Sequence, residues 1–259
     1  MKVLDLFSGI GGFSLGLEAA GMETVAFCEK EPFCKAVLKK HWPDVPCHDD
    51  IKTFQPEKGS ADVVTGGYPC QPFSQAGRRS GHQDERHLWP EMLRVIRGVR
   101  PRWVIAENVI GHISLGFDEV AASLENENFT VWPFIIPACA VDAPHRRYRV
   151  WIVAHANSEG SQRRNSGKLQ ERSSELSAGK GGSFLDNTLR GRHGIPERKM
   201  QTRRDITLDA SGWKPESNVG RVVNGLPRRV DRLRALGNSI VPQVAQKIGL
   251  AIMEHEHAA

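Results

Sequence analysis

Over its first 154 residues the chain alternates short apolar runs with stretches of helical spacing, and no other feature restricts its fold as much. Residues 3–7, 24–28, 62–65 and 103–106 read as buried strands. Between them, residues 13–20, 32–41 and 85–97 place apolar side chains at helical spacing. Strands separated by helices predict a parallel sheet covered on both faces. Residues 129–136 and 147–154 have only a short connection, so they predict an antiparallel pair at the sheet edge. The fold class expected is therefore α/β.

After residue 154 the pattern stops. From 157 to about 204 the chain is rich in Ser, Gly, Arg and Gln and has almost no apolar periodicity, which taken alone reads as a disordered linker. Residues 156–204 hold eleven Lys/Arg against five Asp/Glu, whereas the whole chain carries a net charge of only +5. The attraction for a polyanion is thus concentrated in one stretch. Order is expected again from about 217, with one apolar helix face over 241–254. No apolar run approaches membrane-spanning length, and residues 1–7 read as a first strand, not a signal peptide. The five cysteines (Cys28, Cys34, Cys47, Cys70 and Cys139) are odd in number and form no Cys-x-x-Cys pair. Neither a disulfide framework nor a zinc site is suggested, and a reducing, cytoplasmic setting fits.

The run Asp5-Leu6-Phe7-Ser8-Gly9-Ile10-Gly11-Gly12-Phe13 places glycines between the first strand and the first helix. Such a turn either lets a ligand approach the backbone and the helix N-terminal amides, or serves tight strand–helix packing. Glu29 ends the second strand about twenty residues on, where an acid can accept hydrogen bonds from ribose hydroxyls. Asp50 and Ile51 follow a third short strand, and Asp50 on its own reads as a strand-end turn acid.

Cys70, in Gly66-Gly67-Tyr68-Pro69-Cys70-Gln71-Pro72-Phe73-Ser74, follows the strand 62–65. The C-terminal ends of strands are where open α/β sheets bind ligands. A lone cysteine is usually structural, but its proline and glycine neighbours argue for a rigid exposed loop. Glu107-Asn108-Val109 follows the next strand, and Arg147 and Arg149 alternate so as to share one strand face. Gly237-Asn238-Ser239-Ile240-Val241-Pro242-Gln243 looks like a helix-entry turn.

Taken in order, these blocks resemble the cytosine-5 DNA methyltransferase family. The resemblance covers 1–154 and about 217–250. It implies a Rossmann-like methyltransferase fold, mostly parallel with an antiparallel edge hairpin, plus a small irregular target-recognition lobe. On that reading 1–154 and 217–259 form the catalytic and cofactor-binding domain, and the basic 155–216 recognises the target. The cofactor implied is S-adenosylmethionine, with no metal. Phe7, Gly9 and Gly11 would line it, Glu29 would hold the ribose, Asp50 and Ile51 the adenine, and Asn238 and Ser239 would close over the methionine part.

The resemblance also implies a chemistry. Cys70 would add to carbon 6 of a cytosine flipped from duplex DNA, because carbon 5 is a poor nucleophile until the ring is activated. Glu107 would hold a proton at N3, Arg149 would pair with O2, and Arg147 would orient the loop and Glu107. Residues 75–86 look like a loop closing over the base, and Gln71, Ser74, Arg78 and Arg79 are the expected DNA contacts. His145 departs from the glutamine that often precedes the arginine pair. A monomer is expected, with no membrane association, and a companion restriction endonuclease, a phage setting and a solitary regulatory enzyme are all left open. A nicotinamide oxidoreductase would share the glycine turn but gives no reason for Pro-Cys, Glu-Asn-Val and the arginines together. An amino-group methyltransferase would need an Asn/Asp-Pro-Pro-aromatic motif in place of Pro-Cys. A cytosine-5 enzyme acting on tRNA and a catalytically silent DNA-binding relative are the remaining alternatives.

Overall fold

The computed structural model describes residues 1–69, 88–157 and 229–258. The chain divides into one unit of Met1–Ala156 with Trp213–Ala259, and a second of Asn157–Gly212. Apart from Asn157 the second unit lies outside the described residues, and with it the expected target-recognition lobe.

Seven strands form one sheet: β1 Lys2–Leu6, β2 Glu23–Cys28, β3 Cys47–His48, β4 Val63–Gly66, β5 Trp103–Val109, β6 Phe129–Pro137 and β7 Tyr148–Ala156. Their order is β3-β2-β1-β4-β5-β7-β6. Strands β1–β5 are parallel, and β7 runs antiparallel to both β5 and β6, so β7 alone opposes the other six strands. This is the Rossmann-like, mostly parallel sheet with an antiparallel edge pair that the sequence predicts. The order of connection reverses at β1, which has β2 on one side and β4 on the other; such a switch point opens a crevice beyond the strand ends.

The helices are α1 Gly12–Ala19, α2 Pro32–His41, α3 Trp89–Val99, α4 Phe117–Asn126, α5 Arg229–Asn238 and α6 Pro242–Ala258. Strand side chains alternate between two cores. Leu4, Leu6, Val64, Val104, Ala106, Val150 and Ile152 point to one that includes Met92 and Ile96 of α3 and Leu124 of α4. Val3, Val63, Ile105, Trp151 and Val153 point to the other, with Phe13 and Leu17 of α1 and Val244, Ala245 and Ile252 of α6.

Several elements differ from the sequence expectation. Strand β5 continues through Glu107 and Asn108 to Val109 instead of ending at 106, because β7 pairs along its whole length. Helix α3 starts at Trp89, with Pro90 in its first turn, where a missing N–H costs nothing; residues 85–87 of the expected helix lie outside the described residues. Arg147 is not part of β7: its φ of 34° breaks extended geometry, and the strand begins at Tyr148. Residues 237–243 do not form a single helix-entry turn. Gly237 and Asn238 end α5, and α6 begins at Pro242. Helices α4 and α5 had no sequence assignment.

Helix α6 returns against α1 with almost no space between them. A Cβ on Gly16 would come within 2.2 Å of the Pro242 carbonyl oxygen and 2.8 Å of Ala245 Cβ, and one on Gly249 within 2.9 Å of Ala20 Cβ. These contacts involve backbone or short side chains that cannot swing aside. Gly16→Ala is therefore expected to destabilise the protein by about 1–3 kcal/mol through overpacking. Chemical denaturation checks this, and an unchanged midpoint would contradict the packing described.

Candidate active site

The carboxyl ends of β1, β2, β4 and β5 share one edge, and the antiparallel β7 brings its N-terminal end to the same edge. At β1 the chain turns sharply: Phe7, Gly9 and Gly11 have φ of 51°, 56° and 84°. Phe7 takes this left-handed geometry without being glycine, which is strained and costs on the order of 1–3 kcal/mol. A side chain on Gly11 would run into the Trp42 indole at 2.6 Å, whereas nothing lies within 4 Å of the Cβ position on Gly9. Gly11 is thus required for packing, and Gly9 leaves an open approach to the backbone. The packing reading of the glycine run therefore holds at Gly11.

Glu29, just past β2, is 9% exposed. Its carboxylate accepts the Gly9 N–H at 2.7 Å and the Glu31 N–H at 2.7 Å. Burial pushes its carboxyl up, and the backbone amides of Glu31, Gly9 and Lys30 pull it back. The acid therefore fixes the glycine turn to β2, and each oxygen keeps acceptor capacity beyond its one amide. Asp50 lies in the turn after β3. It accepts the Lys52 N–H at 3.0 Å, lies 3.8 Å from the Lys30 ammonium, and its carbonyl takes the Phe54 N–H. Arg94 of α3 fastens the same turn through the Ile51 and Phe54 carbonyls. Ile51 itself is 5% exposed and belongs to the core, so little of its side chain faces outward.

Glu107 and Arg149 are diagonal neighbours on one face of the β5–β7 pair, since Val109 is opposite Arg149 and Glu107 opposite Trp151. Arg149 Nε donates to Glu107 Oε1 at 2.9 Å. The Glu107 carboxyl is nonetheless raised to about 7: burial is the largest cause, and Arg149 and Arg147 lower it only in part. A carboxyl with a value near neutrality is divided between acid and base, as proton transfer requires. Arg147, whose guanidinium value is lowered by burial and then by the like charge of Arg149, turns elsewhere. Its Nη2 donates to the carbonyls of Gly237 at 2.9 Å and Ser239 at 2.7 Å. It thereby satisfies carbonyls at the C-terminus of α5, where a cation also suits the helix dipole. Arg149, not Arg147, is the residue in contact with Glu107.

The link held by Arg147 passes over the carboxyl ends of the strands. Ser239 Oγ donates to the Leu236 carbonyl at 3.0 Å, and Asn238 is exposed. Ile240 lies over both glycine segments: a Cβ on Gly12 would come within 2.8 Å of its carbonyl oxygen, and one on Gly67 within 3.7 Å of its Cδ1. That same Gly67 position is 3.6 Å from Glu107 Oε2, so the acid lies beside the exit of β4. Open backbone at Gly9, the Glu29 carboxylate and the 237–240 link together suit an adenosyl cofactor across the switch point.

Cys70, Gln71, Ser74, Arg78 and Arg79, and the whole of 75–86, lie outside the described residues. Of the described cysteines, burial pushes the Cys28 thiol up to about 12 and Cys34 to about 11, and it also raises Cys47. Thiols so held stay protonated and inert. Cys139 is exposed. Among the described residues no group of His, Cys, Asp or Glu could hold a metal ion, and no helix is long and apolar enough to cross a membrane.

Three residues at this edge were not picked out from the sequence. Asp5, with no exposure, accepts from Ser14 Oγ and Thr65 Oγ1, both at 2.9 Å, and so joins β1 to α1 and β4. Asn108 Nδ2 donates to the Tyr68 carbonyl at 3.1 Å. His112, in a short 3-10 turn after β5, meets the Tyr68 hydroxyl. An acid inside an apolar run was the available signal for Asp5; nothing in the sequence pairs Tyr68 with His112.

The family model described as C-5 cytosine-specific DNA methylase matches residues 1–221. Among curated proteins, the chain is 32% identical over 243 residues to the Type II methyltransferase M2.BsuMI of Bacillus subtilis, covering 86% of this chain and 62% of that protein. It is 34% identical over 164 residues to the Type II methyltransferase M.Eco47II of Escherichia coli, covering 60% and 39%. The chain thus spans less than two thirds of the length of these relatives. The S. pombe Dnmt2 methyltransferase structure superposes with a TM-score of 0.52 at 25% identity, covering 62% of this chain and 52% of that one.

The buried Glu107 carboxyl has a measurable signature. An acid whose folded value lies above its unfolded 4.5 keeps its proton longer when folded, so the folded form binds more protons up to pH 7. Its contribution to stability therefore falls as pH rises from about 4.5 to about 7. In protein labelled with 13C at glutamate side chains, one carboxyl should titrate near 7. Arg149→Met should move that midpoint higher, because Arg149 pulls it down. A midpoint near 4.5 for Glu107 would contradict its burial.

Proposed function

The chain belongs to the C-5 cytosine-specific DNA methylase family, and from that membership we propose that it methylates carbon 5 of a cytosine flipped out of duplex DNA. The observation that carries the reading is the Glu107 carboxyl, poised near 7 and paired with Arg149 beside the exit of β4. Four residues beyond Gly66, the end of that strand, is Cys70.

In this reading Cys70, as thiolate, forms a bond to carbon 6 of the cytosine. Glu107 delivers its proton to N3 as the electrons move into the ring, so no full negative charge develops there. Arg149 steadies the Glu107 carboxylate left behind and donates to the ring's O2. S-adenosylmethionine, when bound, supplies the methyl group for carbon 5. A base then removes the carbon 5 proton, the ring double bond re-forms, the bond to Cys70 breaks with the thiolate as leaving group, and N3 returns its proton to Glu107. Phe7, Gly9, Gly11, Glu29, Asp50, Ile51, Asn238 and Ser239 would hold the cofactor, and Arg147 would keep the 237–239 link over it. Gln71, Ser74, Arg78 and Arg79 would contact DNA. Residues 1–154 and 217–259 would form the catalytic domain, and the basic 155–216 would recognise the target. The protein would act as a cytoplasmic monomer without a metal, in a restriction-modification setting like that of Type II methyltransferases.

The test is to incubate the protein with tritiated S-adenosylmethionine and, separately, duplex DNA, tRNA and duplex DNA containing 5-fluorocytosine. Label should enter duplex DNA, and the fluorinated duplex should give a denaturant-stable adduct that Cys70→Ser abolishes. Glu107→Gln should lower turnover by about 10²–10⁴-fold. Label on tRNA alone, or no adduct with the wild-type chain, would overturn the reading.

A further inference from the structure

Glu107 and Asn108 are adjacent in β5, so their side chains leave opposite faces of the sheet. Glu107 points to the α1/α6 face and meets Arg149. Asn108 points to the α3/α4 face, where its Nδ2 donates to the Tyr68 carbonyl at 3.1 Å while its Oδ1 accepts the Val109 N–H at 2.8 Å. Tyr68 is held a second time, by its side chain: its hydroxyl is 2.6 Å from His112 Nε2, with both residues 4% exposed. The Tyr68 ring packs on Trp89 at 5.0 Å between centroids, and Trp89 Nε1 donates to Ser123 Oγ of α4 at 3.0 Å. Space for the imidazole is provided by Gly116, where a Cβ would come within 2.8 Å of His112 Cε1.

A short buried bond between two polar side chains in an apolar core is costly to leave half made, and its geometry is correspondingly well defined. Packing alone would be served by Phe at 68 and Leu at 112. The hydroxyl and the imidazole add direction. Backbone and side chain of Tyr68 are both tied to the segment 108–112 that continues from Glu107, two residues before Cys70.

We propose that the buried Tyr68–His112 hydrogen bond is a positioning device that fixes the Tyr68–Pro69 backbone at the exit of β4 beside Glu107, making Tyr68 and His112 positioning residues of the transfer reaction. This rests on reading Cys70 as the nucleophile. A misplacement on the order of 1 Å between reacting groups costs about 10²-fold in rate, so a tether at this point acts on the chemical step and not on binding.

The test compares Tyr68→Phe, His112→Leu, His112→Gln and the double variant Tyr68→Phe/His112→Leu with the wild type. Adduct formation on fluorinated duplex, at saturating DNA, should slow about tenfold in Tyr68→Phe and in His112→Leu, the effect of losing one bond of about 1.4 kcal/mol. The double variant should slow the reaction by clearly less than the product of the two single effects, because the two substitutions share one bond. His112→Gln, which keeps a polar atom near the Nε2 position, should recover most of the rate. Affinities for S-adenosylmethionine and for DNA should stay unchanged throughout. Hydrogen exchange of the peptide spanning residues 64–72, read without DNA, should speed up in Tyr68→Phe and His112→Leu and return towards wild type in His112→Gln. Unchanged exchange in that peptide overturns the tether, as does a rate loss that His112→Gln fails to recover or that appears equally in cofactor affinity. A wild-type chain that forms no adduct overturns the nucleophile reading instead, and the exchange measurement still decides the tether.

Discussion

Strand β7 runs against β5, with Val109 opposite Arg149 and Glu107 opposite Trp151. In a wholly parallel sheet the start of β7 would lie at the opposite edge from the end of β5. The reversal instead delivers the first residues of β7 to the carboxyl edge, where β1, β2 and β4 also end. An arginine is thereby placed next to a buried acid without a long loop. Arg147, one residue before the strand, takes a left-handed turn and reaches the 237–239 link. The Glu107–Arg149 pair and the 237–239 link are consequently fastened from one short segment.

The other end of the site depends on carboxylates as well. Asp5 has no exposure and is raised to about 7 by burial, against the hydroxyl bonds from Ser14 and Thr65 that lower it. It joins the first strand, the first helix and β4 at the switch point. Glu29 joins the glycine turn to β2. These acids hold backbone that is itself strained at Phe7, and a strained turn persists only where its surroundings over-determine it. A hydroxyl or amide partner for each carboxyl oxygen supplies that constraint.

The parallel half of the sheet was legible in the sequence because each of its strands is a short apolar run bounded by polar or glycine residues. Strands β1, β2, β4 and β5 start within one residue of the expected positions, and Glu107 was recognisable as a strand-end acid. Helix α4 was not, since only Val120 and Leu124 of its ten residues are buried and a single i, i+4 pair does not make a periodic pattern. Helix α5 is likewise mostly exposed, with Ala235 its one buried residue among those whose burial is described. The turn at Arg147 could not be read, because arginine carries no local signal for positive φ. Asp5 finds its partners nine and sixty residues away, and Tyr68 finds His112 forty-four residues away. Contacts at such separations belong to the tertiary fold. The proton balance of Glu107 depends on the same long-range burial, so its role came from the family resemblance and its raised carboxyl came only with the fold.

Two buried carboxyls, Asp5 and Glu107, are both pushed to about 7, yet only one is suited to moving a proton. Asp5 has each oxygen bonded to a hydroxyl in a sealed core, so gain or loss of its proton has no outlet. Glu107 has one oxygen on Arg149 and the other facing Gly67 at the strand edge. What separates the two is position along a strand and not residue type. The same alternation assigns Glu107 to the acid face and Asn108 to the tether face. A slip of β5 by one residue would carry Glu107 into the Asn108 position, driving a carboxylate against the Tyr68 carbonyl and leaving Ala106 beside Arg149. Pairing of β5 with β7 along Trp103–Val109, and with β4 over Trp103–Ala106, opposes that slip and fixes which face each side chain takes.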